Sequence, residues 1–146
     1  MTMMLHSQAV AAAINTWCER MSAGDVEGVA ATLAENPEAF AIGTQRIGSG
    51  REAWLESVSE VAQMGVAWST SDLHCWETTD AGFAAGEMTA ALPDGMRLSM
   101  RISAFLVRDG DGFRIFNLHF SWAVPDEIAL PQLDAWREQL GLTTVS

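Results

Sequence analysis

Phe113-Arg114-Ile115-Phe116-Asn117-Leu118-His119-Phe120-Ser121-Trp122 reads as one long strand. A rising run from Met100 to Val107 and a turn, Arg108-Asp109-Gly110-Asp111-Gly112, come before it, and it continues to Ala123. Beyond Ile115 every second residue is polar: Asn117, His119 and Ser121. Between them stand Phe116, Leu118, Phe120 and Trp122, all large and apolar. Strand side chains alternate between faces, so one face carries a histidine-centred polar row and the other an apolar one. Such a strand has something to bury on both sides.

Three further extended runs precede it, roughly 66–77, 82–92 and 97–108. Thr78-Thr79-Asp80-Ala81, Pro93-Asp94-Gly95 and Asp109-Gly110-Asp111-Gly112 separate the four. These are short turn sequences, so consecutive strands are expected to pair antiparallel as a meander. The first half reads instead as helices. Val10, Ile14, Trp17 and Met21 fall on one helical stripe between Ser7 and Met21. Gly24 ends that helix, and Asp25 suits the N-cap of a second from Val26 to about Glu35. Asn36-Pro37 breaks the chain, and Glu38 to Gly43 is a short extended piece. Ser49-Gly50-Arg51-Glu52 has capping-box spacing and opens a third helix through Trp54, Val58 and Val61 to about Met64. A last helix is expected from about Pro131 through Leu133 and Trp136 to Leu140, with Pro131 in its first turn and Gly141 at its C-cap. Helices segregated from a four-stranded antiparallel meander make an α+β domain, one unit over residues 1–146 with its core at about 8–125.

Composition narrows the chemistry. The 146 residues carry a formal charge of −11, and all eight basic residues are arginines. So acidic a chain repels phosphate backbones and anionic membranes, which excludes nucleic acid and membrane as natural partners. Without lysine there is no Schiff-base chemistry, and without tyrosine no phenolic acid. Cys18 and Cys75, like His6, His74 and His119, are scattered, match no metal or redox spacing, and ask for no metal or cofactor. No apolar run is long enough to span a bilayer, and Met1 to His6 has no basic residue to start a secretory signal, so a cytoplasmic location is expected.

Two strand registers are open. In the first, Arg101, Ser103, Asn117, His119 and Ser121 face the helices and line a cavity with Glu87. Met88, Leu106, Phe116, Leu118, Phe120 and Trp122 then form an outer face that requires a partner subunit. In the second, the apolar row packs on the helices and the polar row faces water. Phe105, Val107, Phe113 and Ile115 share the polar row's parity, which favours the first, since a solvent face would not need them.

Several segments together resemble the nuclear-transport-factor-2-like superfamily, in particular a SnoaL-like domain. They are Ala23-Gly24-Asp25-Val26-Glu27, Phe40-Ala41-Ile42-Gly43-Thr44, Gly50-Arg51-Glu52-Ala53-Trp54, Gly112-Phe113-Arg114-Ile115 and His119-Phe120-Ser121. They run in order from about residue 8 to Pro125. The resemblance implies a cystatin-like cone, a curved antiparallel sheet wrapped around the N-terminal helices. It also implies a pocket inside and homodimerisation through the outer sheet face, which again favours the first register. The superfamily holds isomerases, cyclases, hydrolases and pure binding or assembly modules, so the fold does not deliver a function. Steroid isomerisation is excluded. Trp17 stands where the isomerase branch keeps a tyrosine, and Ala41 to Gly43 hold no carboxylate where its base would fall.

The expected occupant of the cone is a small, largely apolar molecule held by Trp17, Trp54, Trp68, Phe105, Asn117 and Ser121. An enzymatic alternative, a cofactor-free isomerase, cyclase or hydrolase, adds His119 as acid or base, Glu87 to orient it, and Arg101 on a developing oxyanion. Each has a plainer counterpart. His119 can simply hydrogen-bond Asn117 or a backbone carbonyl, and tryptophans can simply fill a core. Asp72 and His74 read as a solvated strand end, and Arg51 as a surface or pocket-rim cation. A structural dimerisation module is the third class. Tryptophan side chains plugging the cone would point to it.

Overall fold

The computed structural model describes residues 3–43, 47–48, 50–122 and 124–141. Thr44, Ser49 and Ala123, which the sequence placed in a motif, a capping box and a strand end, lie outside the described residues. The elements are β1 (Leu5–His6), α1 (Gln8–Ser22), α2 (Val26–Thr32), β2 (Phe40–Ile42), β3 (Ile47–Gly48), α3 (Arg51–Ala62), β4 (Ala67–Glu77), β5 (Ala81–Ala91), β6 (Arg97–Asp109), β7 (Gly112–Trp122) and α4 (Asp126–Gln139). They form one open, curved sheet in the order β1-β4-β5-β6-β7-β2-β3, with α1 lying across its inner face.

Local chemistry sets the helix ends. The Ser7 side chain accepts a hydrogen bond from the Val10 amide and starts α1, and the Asp25 side chain does the same for α2 through the Gly28 amide. Helix α2 stops at Thr32, three residues earlier than its composition suggests. Leu33 turns extended and fully buried to bridge Ile115, and the Ala34 amide donates to the Ile115 carbonyl. Sheet pairing here overrides helix propensity. Arg51 resolves a second expectation: its Nε donates to the Ala34 carbonyl and its Nη2 to the Ala30 carbonyl. It opposes the dipole of its own helix but closes the C-terminal end of α2, where a cation is favourable.

Parity along the sheet decides which face is which. On β6 the buried residues are Met100, Ile102, Ala104 and Leu106, and on β5 they are Gly82, Ala84, Met88 and Ala90. On β7 they are Phe113 and Ile115, and then Leu118. The change from odd to even is caused by a β-bulge. Phe105 pairs with Asn117 but Leu106 pairs with Ile115, which leaves Phe116 as an extra residue on β7. Both apolar sets of β7 therefore pack on the helices, each from its own side of the bulge. A second bulge interrupts β4 between Ser71 and His74, where Asp72 sits at φ 48°. Gly86 lies beneath it, and a Cβ there would meet the Asp72 carbonyl oxygen at 2.8 Å and Leu73 Cα at 2.9 Å.

Candidate functional site

The second register is the one adopted. Met88, Leu106 and Leu118, assigned in sequence to the outer face, are fully buried against the helices. Phe120 is half-buried with its ring 5.8 Å from Trp17 and 6.2 Å from Trp68, while Trp17 and Trp68 lie edge-on at 5.7 Å. These three rings fill the concave side of the sheet. Phe116 alone of that apolar row turns outward, and its ring meets Phe105 and Phe40 edge-on at 6.2 and 6.3 Å. Trp54 is buried on α3 and packs into the main core. Phe113 and Ile115 do face inward, but the bulge separates them from the polar row, so shared parity in sequence did not mean a shared face.

The polar row lies on the outer, convex face, and the topology does bring its members together. Glu87 is the register partner of Arg101, Arg101 of Ser121, Ser103 of His119, and Ile42 of His119 from the other side. Asn117 donates through Nδ2 to the Phe40 carbonyl at 3.2 Å and fastens β2 to β7. Sequence reasoning thus grouped residues that the register does bring together, but placed them on the helix side of the sheet instead of the outer face.

Beside that polar patch runs an aromatic row that the sequence reading missed. His6 stacks on Trp76, His74 stacks on Trp76, and Trp76 stacks on Phe83, with ring centroids about 6 Å apart. Phe83 pairs in register with Phe105, and these two are 41% and 44% exposed. The signal was available, since Trp76 and Phe83 flank the Thr78–Asp80 turn and so face each other across a hairpin. At the same end Arg114 bonds both Glu35 and Asp109, which keeps its guanidinium even more firmly protonated than usual.

Inside, one polar atom stands out. Trp17 is 2% exposed, and among the described residues its indole Nε1–H is the buried side-chain donor without an acceptor. Cys18 beside it is no nucleophile, because burial first, and Glu19 second, push its thiol up to about 12. A groove of about 530 Å3 opens elsewhere, between Pro37 and the α3 residues Arg51, Glu52, Leu55, Glu56 and Ser59; Arg51, read in sequence as a surface or pocket-rim cation, lines it, and the residues expected to bind a ligand or act on it do not. Among the described residues no group of three or more histidines, cysteines or carboxylates could hold a metal, and no helix is long and apolar enough to cross a membrane.

A family model described as a SnoaL-like domain matches residues 10–126. No curated protein sequence is significantly similar to the chain. Among solved structures, a protein from Streptomyces avermitilis provisionally assigned as a dehydratase of the NTF2-like family superposes with a TM-score of 0.71 at 17% identity, covering 81% of this chain and 96% of its own. A protein from Xanthomonas campestris, provisionally assigned as a calcium/calmodulin dependent protein kinase II association domain, gives 0.68 at 20% identity over 80% and 86%. An uncharacterised protein with a cystatin-like fold from Caulobacter vibrioides gives 0.68 at 16% over 86% and 96%. At such identities these structures speak for the cone fold alone.

Proposed function

The chain belongs to the SnoaL-like domain family, and on that premise we propose that it is a self-associating domain whose outer sheet face is the contact between two copies. The carrying observation is the composition of that face. In a chain of charge −11, its centre holds one carboxylate, Glu87, set against Arg101, amid Ser99, Ser103, Thr89 and Ser121. Phe83, Phe105 and Phe116 supply the apolar surface beside them. Depletion of charge with aromatic enrichment is the signature of an interface centre, and a two-fold contact lets the same patch serve both subunits. That one neighbour is provisionally assigned as an association domain agrees with this reading. Proton transfer by His119 would take place on this convex face, on the side of the sheet away from the helices; association needs no enclosing wall. The test is Phe105→Asp, examined by sedimentation equilibrium with circular dichroism to verify folding. A folded monomer is the expected result. A variant that self-associates as tightly as wild type, or a wild type that stays monomeric, overturns the reading.

A second reading, binding of a small apolar molecule inside the cone, is favoured by Trp17. A buried N–H without a partner costs about 1–3 kcal/mol. A water there would need two or more polar partners, whereas Trp68, Phe120 and the apolar core surround this indole. On this reading a neutral ligand with one hydrogen-bond acceptor on a flat apolar body pairs with that single donor once the Trp17, Trp68 and Phe120 rings part to admit it.

A further inference from the structure

The chain has three histidines, His6, His74 and His119, and the sheet carries all of them on its outer face. His74 and His119 belong to one register row, His74–Ala85–Ser103–His119, which crosses the four central strands. The next row on one side runs Trp76–Phe83–Phe105, and His6 joins it from β1 as the register partner of Trp76. The rings of His6 and His74 stack on that indole at 6.1 and 6.0 Å. The next row on the other side is Ser71–Glu87–Arg101–Ser121. The histidines therefore lie within the patch proposed above as the contact, between its aromatic row and its one pair of opposite charges.

Few charged groups face them. His119 has Arg101 diagonally across on β6, and its partner on β2 is Ile42. His74 has Glu87 two residues along β5 from its partner Ala85, and Asp72 two residues back on its own strand. His6 has Glu77 beside Trp76, but that carboxylate already accepts from the Ser7 hydroxyl and pairs with Arg108 at 3.5 Å. At the centre of the face Arg101 and Glu87 cancel, so neutral imidazoles add no charge and three imidazoliums add three like charges on each copy.

On the sheet-face contact proposed above, on which this rests, we infer that association is switched by pH through these histidines. The copies meet while the imidazoles are neutral and part as they take up protons. Imidazole changes charge between about pH 5 and 8. A two-fold contact sets the histidines of both copies in one desolvated layer, where imidazoliums repel one another and lose their hydration. In a free subunit they stay in water. Protons therefore bind the free subunit better than the pair. By linkage, association is full above the imidazole range and is lost as pH falls through it. Acidification also lowers the overall charge of −11 and eases the general repulsion. That opposing effect acts at long range, and salt removes it, since the Debye length at about 0.3 M is roughly 6 Å.

The experiment is sedimentation equilibrium of the full chain in about 0.3 M salt, at about pH 7.5 and about pH 5.5, with circular dichroism to verify folding. Wild type is compared with Phe105→Asp and with a triple variant, His6→Gln, His74→Gln and His119→Gln. Glutamine stays polar and takes up no proton in this range. Wild-type association is expected to weaken at least tenfold at the lower pH, and that of the triple variant to stay within about twofold. Should the triple variant fold poorly, the double variant His74→Gln, His119→Gln replaces it, with a fall at least about threefold smaller than that of wild type expected. A wild type equally tight at both pH values, or tighter at the lower, overturns the inference, and so does an undiminished fall in the glutamine variant. Phe105→Asp keeps the two proposals apart. A pH-independent wild-type dimer that Phe105→Asp converts to monomer leaves the sheet contact standing and refutes the switch. A Phe105→Asp as tightly associated as wild type at the higher pH, or a wild type monomeric there, refutes both.

Discussion

Trp17 shows how one atom can separate two readings of the same aromatic cluster. Its ring belongs to the packing of α1 against β4 and β7, as any large apolar side chain would. Its N–H is the part that packing does not explain. Trp17→Phe keeps an aromatic ring against Trp68 and Phe120 and removes the donor. The loss of buried area is partly offset by removing an unpaired polar group, so the unliganded melting temperature is expected to shift only slightly. If a neutral carbonyl-bearing hydrophobe occupies the cone, its thermal stabilisation of the wild type should shrink in the variant. Losing one hydrogen bond corresponds to roughly tenfold weaker binding. Equal stabilisation of both proteins would refute a role for the indole, and a family of aromatic compounds that shifts neither would leave the rings as core alone.

At the scale of elements the two bulges decide most of what the surface presents. Gly86 is the residue that admits the bulge of β4, because any Cβ at that position collides with backbone atoms that cannot turn aside. Gly86→Ala is expected to destabilise the fold by about 1–3 kcal/mol, readable as a lower urea midpoint with an unchanged slope. A midpoint equal to wild type would mean that the bulge is not held in place. Much of the element pattern was legible beforehand. The strand bounds of the meander, Ser7 and Asp25 as caps, and the stop near Gly24 are local matters of turn chemistry and periodicity. What was not legible depends on distant partners. Leu33 leaves its helix to reach Ile115. Helix α4 begins at Asp126 rather than at Pro131, which lies inside it. The face assignment turned on a single inserted residue. The doublet Ile115-Phe116, two large apolar residues in succession, was the sequence trace of that insertion, and strict alternation passed over it.

For the whole molecule charge matters most. Two copies of a −11 chain repel one another, and the proposed sheet contact sets its central carboxylate, Glu87, beside Arg101 to limit that cost. Screening should then help association. Raising salt from roughly 20 mM to roughly 500 mM shortens the Debye length to a few ångströms, and the dimer is expected to tighten modestly. A dimer that loosens instead would mean that ion pairs across the contact, with Arg101 and Glu87 the first to suspect, outweigh the general repulsion. The candidate site was therefore partly readable: the grouping of Glu87, Arg101, Ser103, His119 and Ser121 follows from register, whereas their side of the sheet depends on Phe116 standing out of the ladder.

Because Leu106 meets Ile115 and Phe105 meets Asn117, the ladder on either flank of Phe116 is already continuous without it. Deleting that one residue would close the strand into plain alternation, with Ile115 and Leu118 still inward and Asn117 and His119 still outward. Position 116 therefore works like a spare link in a chain. That codon can be lost without either face of the sheet changing hands, and only the outer ring cluster with Phe40 and Phe105 would register the difference.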